Sequence, residues 1–430
     1  MRVPSPVRFV VGSVVGGFAV LVLLLTGTAH AQPEQPEDLS PQARISLITG
    51  LPGNQLHTEF GHSALRVVDP GQGFDWLYNY GTFDFGDPYF VPKFTYGRLQ
   101  YFLSISTYRG TVQAYRRQGR PVIEQRLRLR PQQRQRLWDF LRHNAQPAHR
   151  TYAYDFLFDN CSTRIRDAFR SALGDEVRFA GAPDPDRTFR EMLDLYVGDR
   201  PLLDVGFDLA LGQPADADVS ADEAMFLPEY LLAAFAEATV RVDGRWQPLV
   251  TATDTVTWVE GYDARAAVFD WPVALGWILF VLTAGWTGWQ AATGRRPGAA
   301  GDGLLLGIAG TTGVVAAFLW FVAEHTVTNY NWNLLWAWPT HLLAAGAFLR
   351  VGNGLRSVLG AYLGAAAAAC GLLALAWAWV PQNLNAAFFP VLLLLSVRFG
   401  WQALHLLGGA PRRRPPAGSD AAPEAAVSTS

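Results

Sequence analysis

The sequence predicts an α+β exported domain followed by an all-α polytopic membrane domain, and three observations predict it. The first is a charge deficit. The 430-residue chain is 50% apolar and 17% charged, with 35 basic against 37 acidic groups, where average globular composition carries about 25% charged residues. The deficit falls in the last third, where long runs of Leu, Ala, Val, Gly and Trp fill the stretch from Trp271 to Leu407. The second is that these runs divide into five apolar stretches, each near the ~20 residues a helix needs to cross a bilayer. The third is that residues 32–270 mix alternating and helical patterns separated by turn residues, without the regular strand–helix alternation of a doubly wound sheet. A single soluble domain and a disordered chain are both excluded. Near-zero net charge argues against nucleic acid, which needs a basic face. Two cysteines, Cys161 and Cys370, rule out a disulfide scaffold.

Residues 1–31 have the form of a signal peptide: Arg2 and Arg8, an apolar stretch from Phe9 to Leu25, then the small-x-small site Ala29-His30-Ala31. An uncleaved anchor helix is the alternative, and either one exports the segment after it. In the exported domain, residues 32–270, ARISLITG reads as a strand ending in the turn LPGN. SALRVVDPGQGFDWLYNYGTF reads as two strands joined by DPGQG. A further strand pair is expected near VIEQRLRLR, where alternation is strict from Val122 to Leu129. RPQQRQRLWDFLRHNA carries Leu137, Phe140 and Leu141 at helical spacing. SADEAMFLPEYLLAAFAEA reads as a helix broken or kinked at Pro228. TVRVDGRWQPLV reads as a hairpin turning at Asp243-Gly244.

The membrane domain, residues 271–408, is read as about five transmembrane helices at 271–291, 303–323, 334–350, 357–380 and 386–408. Arg295 and Arg296, then Arg350 and Arg356, then Arg412, Arg413 and Arg414 mark alternate connections, while EHTVTNYNWN and PQNLNA hold no Lys or Arg. By the positive-inside rule this puts residues 32–270 outside and the tail, 409–430, in the cytoplasm. That tail is rich in Pro, Ala and Ser and is expected to be disordered. The loop TNYNWNLLWAWPTH sets Trp332, Trp336 and Trp338 beside Asn329, Asn331 and Asn333. Trp belongs at a lipid boundary, but three alternating amides need partners, either a lipid head group or the exported domain. Arg398, within the last stretch, is expected to snorkel toward the cytoplasmic face. Glu324, His325 and His341 do not have metal-ligand spacing, and neither a metal nor another cofactor is expected.

The candidate nucleophile is Cys161, in YDFLFDNCSTRIRDAFRSAL. Asp159 and Asn160 are good N-cap residues, so the thiol falls in a first helical turn, where free N–H groups and the helix dipole favour a thiolate. The same N–H groups suit the oxyanion formed when a thiolate attacks an acyl carbon. A base is needed, and His62 in EFGHSALRVVD stands on a strand among small neighbours. His57 is a second choice, and His143 and His149 read as solvated. A third group should orient the imidazole. Asn79, on the neighbouring strand, is the first candidate, with Asp75 and Tyr80 as alternatives. Arg164 and Arg166, one turn past the thiol, either hold phosphate or pair with Asp159 and Asp167.

LITGLPGNQLHTEFGHSALRV, DWLYNYGTFDF and YAYDFLFDNCSTRIRD resemble the exported domain of the lipoprotein N-acyltransferases known as Lnb, and NYNWNLLWAWP resembles that family's membrane portion. The His-before-Cys order also resembles circularly permuted papain-like enzymes, including the lecithin–retinol acyltransferase group. The resemblance implies a permuted papain-like exported domain in a bacterial inner membrane protein, with Cys161 as nucleophile, His62 as base and Asn79 as orienter. It implies a phospholipid acyl donor and a lipoprotein acyl acceptor. The permuted acyltransferases often carry a second His at the orienting position, and none stands nearby here. A cell-envelope hydrolase (phospholipase or cell-wall peptidase) and a non-catalytic scaffold are the competing readings. Candidate substrate-binding residues are Arg164, Arg166, Asn329, Asn331, Asn333 and Trp336.

Overall fold

A computed structural model describes residues 33–84, 86–180, 186–262, 268–295, 299–348 and 355–408. The expected signal peptide and tail, and Arg296, Arg350 and Arg412 to Arg414, lie outside the described residues. The chain forms two units. The first takes Met1–Leu275, Thr312–Leu334 and Ala378–Phe388, and the second takes Gly276–Thr311, Leu335–Trp377 and Phe389–Ser430.

In the first unit, alternating apolar residues build an antiparallel sheet. Its strands are β1 (Arg44–Gly50), β2 (His62–Asp69), β3 (Phe74–Thr82), β4 (Gln100–Thr107), β5 (Val122–Leu127) and β6 (Thr151–Ala153), with β10 (Val250–Thr257) on its edge. The order is β10-β5-β1-β2-β3-β4-β6. β7 (Val177–Arg178), β8 (Thr239–Val242) and β9 (Arg245–Pro248) form a second sheet. Strands from ARISLITG, SALRVV and FDWLYNY stand where the sequence puts them. VIEQRL is one strand rather than half of a local pair, because its partners β1 and β10 come from distant sequence. The β8–β9 hairpin turns at Asp243 and Gly244, both at positive φ (49° and 78°), the conformation an Asp-Gly turn supplies.

Period-two alternation gives the main sheet two unlike faces. One carries Ile45, Leu47, Leu65, Val67, Tyr78 and Tyr80 into the main core. The helices α3 (Pro131–Ala145) and α4 (Cys161–Leu173) bury Leu137, Trp138 and Leu141, and Ile165, Ala168 and Phe169, in that core. The other face carries Ile48, Ala64, Leu77 and Val122 in a smaller cluster with Tyr115 of α2 (Tyr108–Arg117). A short helix, α1 (Phe90–Thr95), precedes β4. Of the break or kink expected at Pro228, the structure has the break. A 3-10 turn, Glu223–Phe226, stops short, and Pro228 opens α7 (Pro228–Glu237) at its first position, where the missing N–H costs nothing.

α5 (Phe189–Val197) and α6 (Pro201–Ala210) build a polar knot in the same unit. Arg190 is 1% exposed and donates to Asp208 (2.5 Å), Asp216 (2.8 Å) and the carbonyl of Gly212 (3.2 Å). Asn385 donates to Asp204 and Asp208, both at 2.9 Å. Asn331 donates to the carbonyl of Leu209 (2.8 Å), Asn333 to that of Asp208 (3.3 Å), and Gln382 to that of Leu211 (3.0 Å). The segments around Asn331 and Asn385 thus close on the end of α6 with amide hydrogen bonds. Of the two partners expected for Asn331 and Asn333, the structure displays the outer domain. Both asparagines are 0% exposed.

The C-terminal helices are α8 (Trp271–Thr293), α9 (Ala299–Phe321), α10 (His341–Phe348), α11 (Arg356–Leu375) and α12 (Phe388–Leu407). Among the described residues, four are long and apolar enough to cross a membrane: Trp271–Thr293, Ala300–Phe321, Arg356–Leu375 and Phe388–Leu407. The expected third stretch, 334–350, instead begins as a 3-10 turn (Trp332–Leu335) and continues as α10, and 349–354 lie outside the described residues. In the second unit Arg398 does not snorkel. It is buried and ion-paired with Asp302 of α9, and donates to Thr287 (3.1 Å) and Gln290 (2.8 Å) of α8. Pairing removes the need to reach water, because a charge in an apolar bundle is stabilised by a counter-charge and hydrogen bonds. Trp336 is buried, and its carbonyl accepts from His341 Nε2 at 3.1 Å.

The knot can be probed in two ways. Arg190→Ala leaves two buried carboxylates unpaired and should destabilise the protein by about 3–5 kcal/mol, measured by thermal unfolding in detergent. Burial pushes Asp194 up to about 7, with the Asp208 and Asp204 carboxylates adding to the rise. A carboxyl raised on folding keeps a proton that the unfolded chain has lost, so its stability contribution is lost as pH rises toward about 7. Asp194→Asn should therefore raise the unfolding temperature more at pH ~8 than at pH ~5; equal shifts at both would contradict this.

Candidate active site

Asn160 caps α4: its Oδ1 accepts from the N–H groups of Ser162 (2.8 Å) and Thr163 (3.0 Å), while its own N–H donates to Thr163 Oγ1 (2.8 Å). This capping box makes Cys161 the first residue of the helix. It also takes two of the first-turn donors expected for an oxyanion, so of the amides of residues 161 to 163 only that of Cys161 itself is not held by the cap. The thiol is free and half-buried.

The apolar stripe of α4 lies on the main-core face of the sheet, which carries its N-terminus to the start of β2. There Ser162 Oγ donates to Ser63 Oγ (3.2 Å), both side chains fully buried. Ser63 follows His62, whose imidazole is close enough to influence the titration of the Cys161 thiol. Two glycines let the strands approach. Gly61 has φ +80°, and a Cβ there would lie 2.9 Å from the carbonyl of Gly50. Gly81 has φ +79°, and the space where its Cβ would stand is flanked by Cys161 Cβ at 3.5 Å and the Tyr154 ring at 3.8 Å.

His62 Nε2 lies 3.4 Å from Asn79 Oδ1. Leu65 pairs with Tyr78, so Asn79 stands one step further toward the His62 end of the β2–β3 hairpin, as a diagonal neighbour. The Asn79 amide nitrogen donates to the carbonyl of Leu77 (3.2 Å) and to Ser106 Oγ (3.0 Å). A carbonyl only accepts, so this fixes which end of the carboxamide faces His62. Oδ1 therefore faces the ring as an acceptor for a proton on Nε2. The two alternatives for this position are engaged elsewhere. Asp75 accepts from Arg66 at 2.7 and 2.8 Å, and Tyr80 points into the main core on the opposite face.

Burial pushes the Cys161 thiol up, but the His62 charge and hydrogen bond, the Ser63 N–H and the Ser162 hydroxyl pull further the other way, and the thiol lies below its ordinary value. Arg120 was not read from the sequence. Its buried guanidinium lies 4.6 Å over the Tyr115 ring, and its Nε donates to the carbonyl of Leu51 at 2.9 Å. Its charge and that of the thiolate attract. Nothing in RRQGRPV distinguishes it from its exposed neighbours Arg116 and Arg117. His57 is exposed on a 3-10 turn, Leu56–Thr58, and His143 and His149 are exposed and stacked on each other at 4.1 Å.

Arg164 donates to Asp159 through two bonds of 2.6 Å and lies 3.5 Å over the Tyr152 ring. Arg166 pairs with Asp167 (2.8 Å) and donates to the carbonyl of Asp222 (3.0 Å). Of the two roles expected for these arginines, the structure displays carboxylate pairing. Arg164 and Asp159 also line a cavity of about 400 Å³ with Tyr80, Phe140, Asn144, Phe158 and Asp167. Asn329 is half-buried beside Gly212, so close that a Cβ at Gly212 would lie 1.8 Å from the Asn329 carbonyl.

Two family profiles match the chain. Residues 37–194 match the Lnb N-terminal periplasmic domain, and residues 265–407 match the Lnb transmembrane domain. The chain belongs to the Lnb family. It is therefore an inner-membrane protein with a periplasmic N-terminal domain, from a family of lipoprotein maturation. The Lnb periplasmic match contains Cys161, His62, Asn79 and Arg120, and ends between Arg190 and its partner Asp208. Comparisons with curated proteins and with solved structures gave no match.

Alkylation of Cys161 by iodoacetamide should follow a midpoint below the ordinary thiol value of about 8.5. His62→Ala removes the largest lowering influence, so its midpoint should rise. A midpoint that His62→Ala leaves in place would separate the imidazole from the thiol.

Proposed function

We propose that this protein is a thiol acyltransferase. It moves a fatty acyl chain from a membrane phospholipid, through a thioester on Cys161, to the N-terminal amine of a diacylglyceryl-cysteine lipoprotein. The observation that carries this reading is the order thiol, imidazole, carboxamide across α4, β2 and β3, with Asn79 Oδ1 on His62 Nε2. That order leaves Nδ1 to take the thiol proton. The thiolate then attacks the acyl ester carbon, and the Cys161 N–H holds the oxyanion. As the tetrahedral adduct collapses, the C–O bond breaks and His62 returns the proton to the leaving lysophospholipid oxygen. The lipoprotein amine attacks the thioester, its proton passes to His62, and the C–S bond breaks to restore the thiolate. One ester and one amine become one amide and one alcohol, with no net redox change.

An amine wins over water only where water is kept from the thioester. The aromatic rings of Phe83, Tyr101 and Tyr154 near the thiol suit that need. In this reading the domain at 271–408 crosses the membrane several times and the tail, 409–430, lies in the cytoplasm. Both substrates then arrive through the bilayer, which explains a periplasmic enzyme carried on a membrane domain.

Intact-mass analysis of the full chain incubated with phospholipid should show a fatty-acyl adduct on Cys161. The adduct should be released by hydroxylamine, missing in Cys161→Ser and His62→Ala, and discharged by an amine acceptor faster than by water. No adduct under turnover conditions would sink the proposal, and discharge by water alone would make the protein a hydrolase.

A further inference from the structure

One stretch of the periplasmic domain lies outside the thiol, imidazole and carboxamide set and is hard to reconcile with water around it. Between β3 and β4, Tyr89, Val91, Phe94 and Tyr96 are 65%, 61%, 52% and 39% exposed. None of the residues of α1 is buried. Large apolar side chains gathered on one short exposed segment mark a binding surface rather than ordinary scatter.

What holds the segment identifies what covers it. The Glu324 N–H donates to the carbonyl of Tyr96 (2.9 Å), and His325 Nε2 donates to the carbonyl of Phe94 (2.9 Å). Arg98 and Glu324 form an ion pair at 2.6 Å. The Tyr96 ring meets Phe318 edge-on at 5.0 Å. At Gly97, φ +74°, an added Cβ would lie 3.1 Å from the Glu324 backbone, so the two chains touch directly. Phe318 lies in the last turn of α9, one of the helices long and apolar enough to cross a membrane, and Glu324 comes soon after its end at Phe321. Because residues 37–194 are periplasmic, this is the periplasmic end of that helix. Such an end marks the level of the water–lipid boundary. A segment fastened there, with its aromatic and aliphatic side chains exposed, is placed in the leaflet rather than above it.

The segment is also joined to the thiol. Phe94 stacks on Phe90 (6.2 Å), Phe90 meets Phe83 (5.5 Å), Phe83 meets Tyr101 (5.3 Å), and Tyr101 stacks on Tyr154 (4.1 Å). Tyr154 and Cys161 then flank the space left by Gly81. We propose that residues 87–96 lie in the periplasmic leaflet as a lipid-contact segment, and that the line Phe90, Phe83, Tyr101, Tyr154 guides a phospholipid acyl chain from that leaflet to Cys161. The second half of this proposal rests on the acyl-transfer reading; the first half does not.

The test uses the full chain with Cys161→Ser and Cys370→Ala, carrying Val91→Cys or Phe94→Cys labelled with a fluorescent probe, in phosphatidylethanolamine–phosphatidylglycerol nanodiscs. Arg116→Cys, on the exposed part of α2, serves as the comparison. Probes at 91 and 94 should be quenched by lipids with a nitroxide near the head of the acyl chain and shielded from aqueous iodide, with the reverse at 116. Identical behaviour at the three positions would overturn the membrane contact. For the line, Phe90→Ala should lower the ratio of Cys161 acylation by palmitoyl over butyryl phospholipid about tenfold, the scale of one lost aromatic contact surface. An unchanged ratio would overturn the line. No adduct from either lipid would instead overturn acyl transfer itself, and the quenching result would still judge the segment.

Discussion

The small, buried contact between Ser162 at the start of α4 and Ser63 at the start of β2 is the joint on which the candidate site depends. α4 belongs to one face of the sheet, through Ile165, Ala168 and Phe169. His62 and Asn79, by strand alternation, belong to the other. A thiol and an imidazole from opposite faces can meet only at the rim of a sheet, where a helix begins and a strand begins at the same level. The serine pair sets that level, Gly61 and Gly81 remove the side chains that would hold the backbones apart, and the Asn160 cap fixes the first turn.

The same economy of placement governs the polar residues. Arg190, Asn331, Asn333, Gln382 and Asn385 are all turned inward onto α6 and the residues after it. An amide or a guanidinium removed from water must find several partners at once, and the carbonyls at a helix C-terminus offer a concentrated set of acceptors. That is why loops after membrane-type helices hold so many side-chain amides, and why those amides serve architecture before recognition. Arg398 and Asp302 obey the same rule in the second unit.

Much of this could be read in advance wherever one segment decided its own fate. β1, β2, β3, α3 and the Asp243-Gly244 hairpin carry their periodicity and turn residues locally. So does the thiol: Asp159-Asn160 before an amphipathic run declares a helix start, and the cap forms as that pattern implies. Elsewhere local pattern failed for physical reasons. Pro228 is compatible with both a kink and a first turn, and only the halt of the preceding 3-10 turn selects the latter. The stretch 334–350 is apolar enough for a long helix, yet Asn333, just before it, is held by the Asp208 carbonyl of α6, and the helix begins only at His341. The sequence carries no sign that Arg120, among several arginines, is the buried one whose charge attracts the thiolate.

By itself, then, the order of residues determined which parts of the chain are soluble and which are membrane-like, and that a free cysteine opens a helix after a histidine opens a strand. These are matters of composition and short-range periodicity, which each segment holds within about ten residues. Only the tertiary structure decided which side of His62 faces Asn79, that Asp75 and Tyr80 are taken up elsewhere, and that Arg164 and Arg166 lean on carboxylates. Hydrogen bonds between residues far apart in sequence compete for the same few donors and acceptors, and that competition is settled by three-dimensional distance alone.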